Sequence, residues 1–442
     1  MHFDLSKMYH SVHTTEPKRY MRLMVWQYGQ QKEHWKIFGW NVVAFGDTPA
    51  TCITELAKSI TADAGRDIDP YAASLIEEDC YCNHACAEGT EQQVSHMIGS
   101  VTYKEDGSLK DSGTIDQILS KGGFKVKMIV RNGKTDEVAL AKMGGSVLGH
   151  KWEPKSDYFY FKPKVFLGKK QRNGLHSGPE LTDESISLLD TFLWTKHFFL
   201  ATIASIYNPA GLIFAYIIKF KLFFRSVCLE NLEAWDTPLT PELQIKWTKL
   251  VTELVTAPEI RVKRGVTSPK AVGLPRLVEF SDGSQVAFSA GVYILFDIET
   301  EKEGHWLGSL GRQWSVISNL LIAMARVAPL VGITPPQSEM NGLVVGVRLI
   351  NIVLLSLPQQ PSSITFILDS ECTIATVESD HGHQTPYLAN RWAEVLETFQ
   401  EWENQYTDLV IDKLQHIAGP LNISDIATRD TVTAEEVQEQ LK

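Results

Sequence analysis

Four carboxylates beside apolar runs are the residues of this 442-residue chain most able to do chemistry together. Asp282 closes the run Val278-Glu279-Phe280-Ser281, and Asp369 ends the run Ile364 to Leu368. Glu339 falls in the first turn after Pro335-Pro336, and Asp425 opens a short final helix. The β-branched runs read as strands, and a sheet containing both would aim Asp282 and Asp369 at one edge. Carboxylates converging from different elements form a hard-oxygen site suited to Mg²⁺ or Mn²⁺. Two such ions together activate water and stabilise the leaving oxygen of a phosphodiester. Singly, each acid also suits a helix cap or a solvated turn, so only the joint pattern points to metal chemistry.

Other reactive groupings are less complete. Cys80, Cys82, His84 and Cys86 alternate at spacing two, which on an extended strand spreads them too far for one tetrahedral zinc unless the segment turns. Asp111-Ser112-Gly113 has the aspartic-peptidase triplet but follows a polar stretch that reads as a turn. Gly144 to Lys151 lacks the lysine and hydroxyl of a phosphate loop, and Asp380, His381 and His383 fall in an apparent loop. From Lys121 to Arg172, 13 basic residues face four acidic ones, with aromatics between them. Lys121, Lys125, Lys127, Arg131, Lys151, Lys162, Lys164, Lys169, Lys170 and Arg172 are the candidate phosphate contacts, and a solvated basic surface is the alternative.

The elements that must position these groups fall into three blocks. Residues 1–165 mix short strands, helices and Gly-rich turns; residues 166–268 read as mainly helical, starting at the cap Leu181-Thr182-Asp183-Glu184, with a second helix at Thr240-Pro241-Glu242. Residues 269–430 read as a hairpin, then helix, strand, long helix Ala389 to Trp402, strand near Leu409 to His416 and a short helix, followed by an acidic tail over 431–442. Phe198 to Ile218 carries no charge, but Asn208-Pro209-Ala210-Gly211 in its middle predicts two buried helices and a bend rather than a membrane span. The formal charge of -11 argues against a chain coated in positive charge, and residues 378–442 alone hold 13 acids and four bases. Six cysteines and the lack of a basic-then-apolar leader predict an intracellular protein, cytoplasmic or nuclear, not secreted.

One ordered series of motifs goes further. Asp282-Gly283-Ser284, Arg326-Val327-Ala328-Pro329-Leu330, Thr334-Pro335, Ser338-Glu339 and Leu368-Asp369-Ser370 come first. Asn390-Arg391, Ala393-Glu394-Val395, His416-Ile417-Ala418-Gly419-Pro420-Leu421-Asn422 and Asp425-Ile426-Ala427 follow. Together they resemble the ribonuclease H domain of Bel/Pao-type LTR retrotransposon polyproteins. The resemblance implies that Asp282, Glu339, Asp369 and Asp425 ligate two Mg²⁺ or Mn²⁺ ions, that His416 assists proton transfer, and that the substrate is RNA in an RNA–DNA hybrid.

Upstream, Phe3-Asp4-Leu5-Ser6-Lys7-Met8-Tyr9-His10 is similar to the first catalytic motif of a reverse transcriptase palm. Phe45-Gly46-Asp47-Thr48-Pro49-Ala50 resembles the next palm motif, and Val147 to Trp152 the primer-gripping hairpin. Gly122-Gly123-Phe124 and Ile206 to Leu212 resemble further landmarks, the latter in the region labelled Pao retrotransposon peptidase. The implied fold is a multidomain α/β and α+β chain: a palm-like domain, a helical thumb or connection, and a ribonuclease H-like mixed sheet. Where such a polymerase needs Y-x-D-D, this chain has Tyr81-Cys82-Asn83-His84, and only three residues precede Asp4, leaving no fingers. DNA synthesis is therefore expected to be absent. The alternative to a surviving hydrolase is a non-enzymatic remnant that binds nucleic acid or a partner.

Overall fold

Alternation decides the first strand: Phe3 and Leu5 are buried on one side of a strand whose polar His2 and Asp4 point to the other. The computed structural model describes residues 1–19, 22–27, 35–44, 46–86, 89–99, 102–103, 109–111, 113–132, 146–147, 150–168, 178–230, 234–267, 270–300, 313–379, 385–429, 431–432 and 436. It divides into two units, Met1–Phe161 and Lys162–Lys442.

The main elements of the first unit are β1 (His2–Ser6), the hairpin β2 (Leu23–Gln27) and β3 (Trp35–Gly39), α1 (Ala50–Asp63), α2 (Pro70–Glu78), β4 (Cys80–Tyr81) and β5 (His84–Cys86). Then come α3 (Glu91–Ile98), α4 (Thr114–Lys121), β6 (Lys125–Val130), β7 (Ser146–Val147), β8 (His150–Glu153) and β9 (Tyr158–Phe161). One antiparallel sheet has the order β4-β5-β1-β6, and its apolar face packs with Ile76, Ile98, Ile118, Leu119 and Phe124. Asp69 starts α2 by accepting from the Tyr71 and Ala72 amides ahead of Pro70, and Thr90 with Gln93 makes a capping box for α3. Asp111 closes a short strand, Leu109–Asp111, paired with Thr102–Tyr103, where the sequence predicts a turn.

The second unit contains α5 (Lys196–Ser205), α6 (Phe214–Leu229), α7 (Pro241–Thr256), β10 (Arg276–Gly283), β11 (Ala287–Thr300), β12 (Gln313–Val327) and α8 (Pro335–Ser356). It continues with β13 (Ser363–Leu368), α9 (Glu371–Glu378), α10 (Pro386–Gln405), β14 (Val410–Ile411) and β15 (Gln415–His416). Its sheet has the order β12-β11-β10-β13-β14, antiparallel through β12, β11 and β10 and parallel from β10 to β13 and beyond; β15 also pairs with β13. The apolar helix α8 is buried against this sheet, with Leu343, Val347 and Ile350 in the same core as Leu277, Ile364 and Phe366.

The uncharged stretch forms α5 and α6 around the predicted bend. Trp247 of α7 holds the pair together, its ring 3.9 Å from that of Phe199 and edge-on to Phe220. Their bend lies against β12: the Ala323 amide donates to the Ala210 carbonyl at 3.0 Å, and Lys221 and Arg225 donate to the Ala325 and Ala328 carbonyls. Two predicted elements differ, and one helix forms where none was expected. Asp183–Thr191 is a 3-10 helix that buries only Leu189, too little apolar face to hold an α-helix. Glu371–Glu378 is an α-helix despite its β-branched residues, because Ser370 caps it and Thr373 and Val377 are buried. The strand expected near Leu409 to His416 is two short pieces, β14 and β15.

Candidate metal centre

Parallel pairing brings the first two acids together. Ser281 of β10 is in register with Leu368 of β13, so Asp282 and Asp369 follow at adjacent strand ends pointing the same way. The third comes from α8, whose start is set by Pro335 and by a capping box between Thr334 and Gln337. Two glycines let the helix approach the strand: a Cβ on Gly283 would lie 2.3 Å from the Glu339 amide nitrogen, and one on Gly342 would lie 2.8 Å from the Asp282 carbonyl oxygen. One carboxylate oxygen from each of Asp282, Glu339 and Asp369 lies within 4.8 Å of the others.

The electrostatics of this cluster are unbalanced. Burial, then the nearby Asp282 and Asp369, push the Glu339 carboxyl up to about 8, and burial raises Asp282 against the opposing hydrogen bond from Thr428. Oε2 of Glu339 and Oδ1 of Asp369 are buried without a hydrogen-bond partner, and among the described residues no Lys or Arg side chain ion-pairs with any of the three acids. Crowded, largely desolvated carboxylates with vacant acceptor oxygens fit a hard divalent cation held by Asp282, Glu339 and Asp369.

Asp425 is not part of that trio. It sits in the 3-10 turn Asp425–Ala427 and forms an ion pair with Arg429 one turn on, while its neighbour Thr428 donates to Oδ2 of Asp282 at 2.5 Å. His416 is exposed on β15, in register with Leu368 and so one residue from the Asp369 position.

In the first unit, the acid of the palm-like motif is already occupied. Asp4 is buried, and its carboxylate accepts from Asn83 at 2.5 Å and Lys127 at 2.8 Å. The Tyr81-Cys82-Asn83-His84 segment does turn, with Cys82 at φ 52° between β4 and β5, leaving Tyr81 exposed. His84 stacks on His2, whose imidazole is lowered to about 4 by burial and by that neighbour. Burial raises the Cys80 thiol to about 11, and among the described residues Cys80, Cys82, His84 and Cys86 do not gather as a metal cluster.

The basic stretch is locally compensated. Lys121 pairs with Asp67, Lys127 with Asp4, Lys162 with Asp183 and Lys164 with Glu180. Arg131 donates to Ser95, Lys151 lies 5.7 Å from the Tyr160 ring centre, and Lys125 is exposed. Lys169, Lys170, Arg172, Asp380, His381 and His383 lie outside the described residues, as do Gly144, Gly145, Leu148 and Gly149.

Sequence reasoning did not single out a cavity of about 310 Å³ in the second unit, lined by Phe288, Arg326, Asn341, Arg348, Arg391 and Glu394 among others. Arg391 stacks 3.6 Å over the Tyr387 ring and donates to Asn341, and Arg348 is held by both oxygens of Glu394. The residues come from β11, β12, α8 and α10, so no local spacing signals them.

Residues 195–370 match the family described as the Pao retrotransposon-like RNaseH-like domain. The chain carries a Pao-type retrotransposon ribonuclease H-like domain. The matched span includes Asp282, Glu339 and Asp369 and begins upstream of the sheet, in the α5 and α6 pair. Similar solved structures include the N-terminal RNase H domain of a Mycobacterium tuberculosis protein fused to maltose-binding protein. It is 13% identical over 34% of this chain and 92% of that one, with a TM-score of 0.22. RNase H1 of Halobacterium salinarum gives 13% identity, 34% and 90% coverage and a TM-score of 0.20. LC11-RNase H1 in complex with an RNA/DNA hybrid gives 14%, 38%, 99% and 0.22. No curated protein matches the chain.

Proposed function

We propose that the second unit hydrolyses RNA in RNA–DNA hybrids, using Mg²⁺ or Mn²⁺ held by Asp282, Glu339 and Asp369. One observation carries this reading: the buried Asp282 and the half-buried Glu339 and Asp369 bring carboxylate oxygens within 4.8 Å of one another, Glu339 and Asp369 each keep a buried oxygen with no hydrogen-bond partner, and among the described residues no cationic side chain is ion-paired with the three. Divalent ions bound there supply charge neutralisation at the scissile phosphate and acidify attacking water. Asp282 and Asp369 hold their positions by being fixed to adjacent strand ends, and Glu339 by the close approach of α8. His416, exposed beside the Asp369 strand end, accepts or returns a proton at its imidazole. The arginine-lined cavity and exposed basic residues of the basic stretch not ion-paired with an acid, such as Lys125, hold the nucleic-acid backbone.

Residues 1–165 are read as a degenerate polymerase palm, 166–268 as a thumb or connection, 269–430 as the ribonuclease H-like domain and 431–442 as a tail. The Asp4 site performs no nucleotide transfer, since its carboxylate is ion-paired with Lys127 and takes a hydrogen bond from Asn83, and the neighbouring Asn83 and His84 stand where a polymerase has two more acids. The test is cleavage of a labelled RNA–DNA hybrid with Mg²⁺ or Mn²⁺ beside Asp369→Asn. Cleavage lost by at least about a hundredfold in the variant is expected; a folded wild-type chain that binds hybrid but leaves it intact would sink the hydrolase reading. A second reading, a binding remnant, is favoured by one contact: Asp425 pairs with Arg429 instead of joining the trio.

A further inference from the structure

The segment after β15 is stitched to the sheet by buried side chains. Asn422 donates to the Ser281 carbonyl at 2.8 Å, Ser424 to the Phe280 carbonyl at 2.6 Å, and Ser289 of β11 donates to the Ser424 carbonyl at 2.8 Å. These three bonds fix the backbone of 422–424 beside the end of β10. A 3-10 turn then delivers Thr428, which is 2% exposed, to the Asp282 carboxylate.

Thr428 differs in kind from its neighbours. The others bond main chain to side chain and hold the segment down, whereas its hydroxyl meets one oxygen of a carboxylate in the metal trio. Its own carbonyl is held by Ser284, so the hydroxyl is fixed from both ends of the residue. A carboxylate on a strand end can rotate about its last bond, and a ligand free to rotate must be ordered again each time an ion binds. A donor on Oδ2 stops that rotation. The Asp425 carbonyl, 3.0 Å from the same hydroxyl, is the competing acceptor for its single proton.

We infer that Thr428 is a positioning residue of the metal centre: its hydroxyl locks the Asp282 carboxylate in the rotation that presents it to Glu339 and Asp369. The inference rests on the metal-site reading above and adds to it a residue outside the carboxylate set.

The experiment is Mn²⁺ binding to the full chain without nucleic acid, followed by the electron-spin-resonance signal of free Mn²⁺, with thermal melting in chelator. Thr428→Val keeps the shape and removes the donor; Thr428→Ser keeps the donor. The expected result is Mn²⁺ affinity at least about tenfold weaker in the Val variant, as for outer-shell donors in other metal sites, and within about twofold of wild type in the Ser variant. Wild-type affinity in a folded Val variant overturns the inference, as does equal loss in Val and Ser. A Val variant that does not fold overturns it too, since Thr428 is then a structural tie. Asp369→Asn is run in parallel: if it binds Mn²⁺ as wild type does, the metal-site reading itself fails, and that failure is read separately from the Thr428 comparison.

Discussion

Glu279 lies three residues before Asp282 on β10 and is wholly buried; among the described residues Oε1 has no partner and Ser281 alone donates to its other oxygen, at 3.4 Å. Burial raises its carboxyl well above the ordinary 4.5, so folding favours its protonated form and the unfolded chain ionises first as pH rises. A folded pKa raised above the unfolded one gives stability that is full below about 4.5 and is lost as pH climbs toward the folded value. Each pH unit in that window costs about 1.4 kcal/mol from this group. Glu279→Gln is therefore expected to flatten the fall in melting temperature between pH 5 and 8 relative to wild type. Equal slopes in the two proteins, measured by calorimetry with saturating Mg²⁺ to quiet the metal carboxylates, would show that Glu279 is not the source.

At the scale of elements, the α5 and α6 pair completes the sheet rather than merely preceding it. Their bend occupies the outer edge of β12, where a Cβ on Gly211 would lie 1.8 Å from the Ala323 carbonyl oxygen and Lys221 and Arg225 take further β12-side carbonyls. A chain begun at 269 leaves that long edge open and is expected to aggregate, whereas one begun at 178 stays monomeric; matching elution volumes in size-exclusion chromatography would refute this. The contact also shows what a sequence can carry. Asp282 and Asp369 were legible because each ends an apolar run, and the Asn208–Gly211 bend because proline and glycine punctuate an uncharged stretch. The docking of that bend on β12, the Arg429 pairing of Asp425 and the reach of Thr428 to Asp282 were not. They join residues separated by more than a hundred positions or depend on which of several partners a side chain takes, and no local period encodes either.

For the whole molecule the question is how a chain of charge -11 would hold the polyanion proposed as its substrate. Among the described residues between 121 and 172, Lys121, Lys127, Lys162 and Lys164 are each paired with a nearby acid, so total basic content overstates the phosphate contacts. Arg326 differs from these: it is an exposed lining residue of the arginine-lined cavity, and its Nε donates to the Met324 sulfur, a weak acceptor. A phosphate there displaces counterions from the hybrid and leaves a signature in salt dependence. Arg326→Gln is expected to weaken hybrid binding and to reduce the slope of log affinity against log salt by about 0.9, the value of one phosphate contact. Lys164→Gln, which removes a cation already paired with Glu180, should leave the slope within about 0.3 of wild type. If fluorescence anisotropy across 50–200 mM salt (a range spanning roughly a fourfold change) gives the two variants the same slope, pairing does not decide which cations the nucleic acid meets.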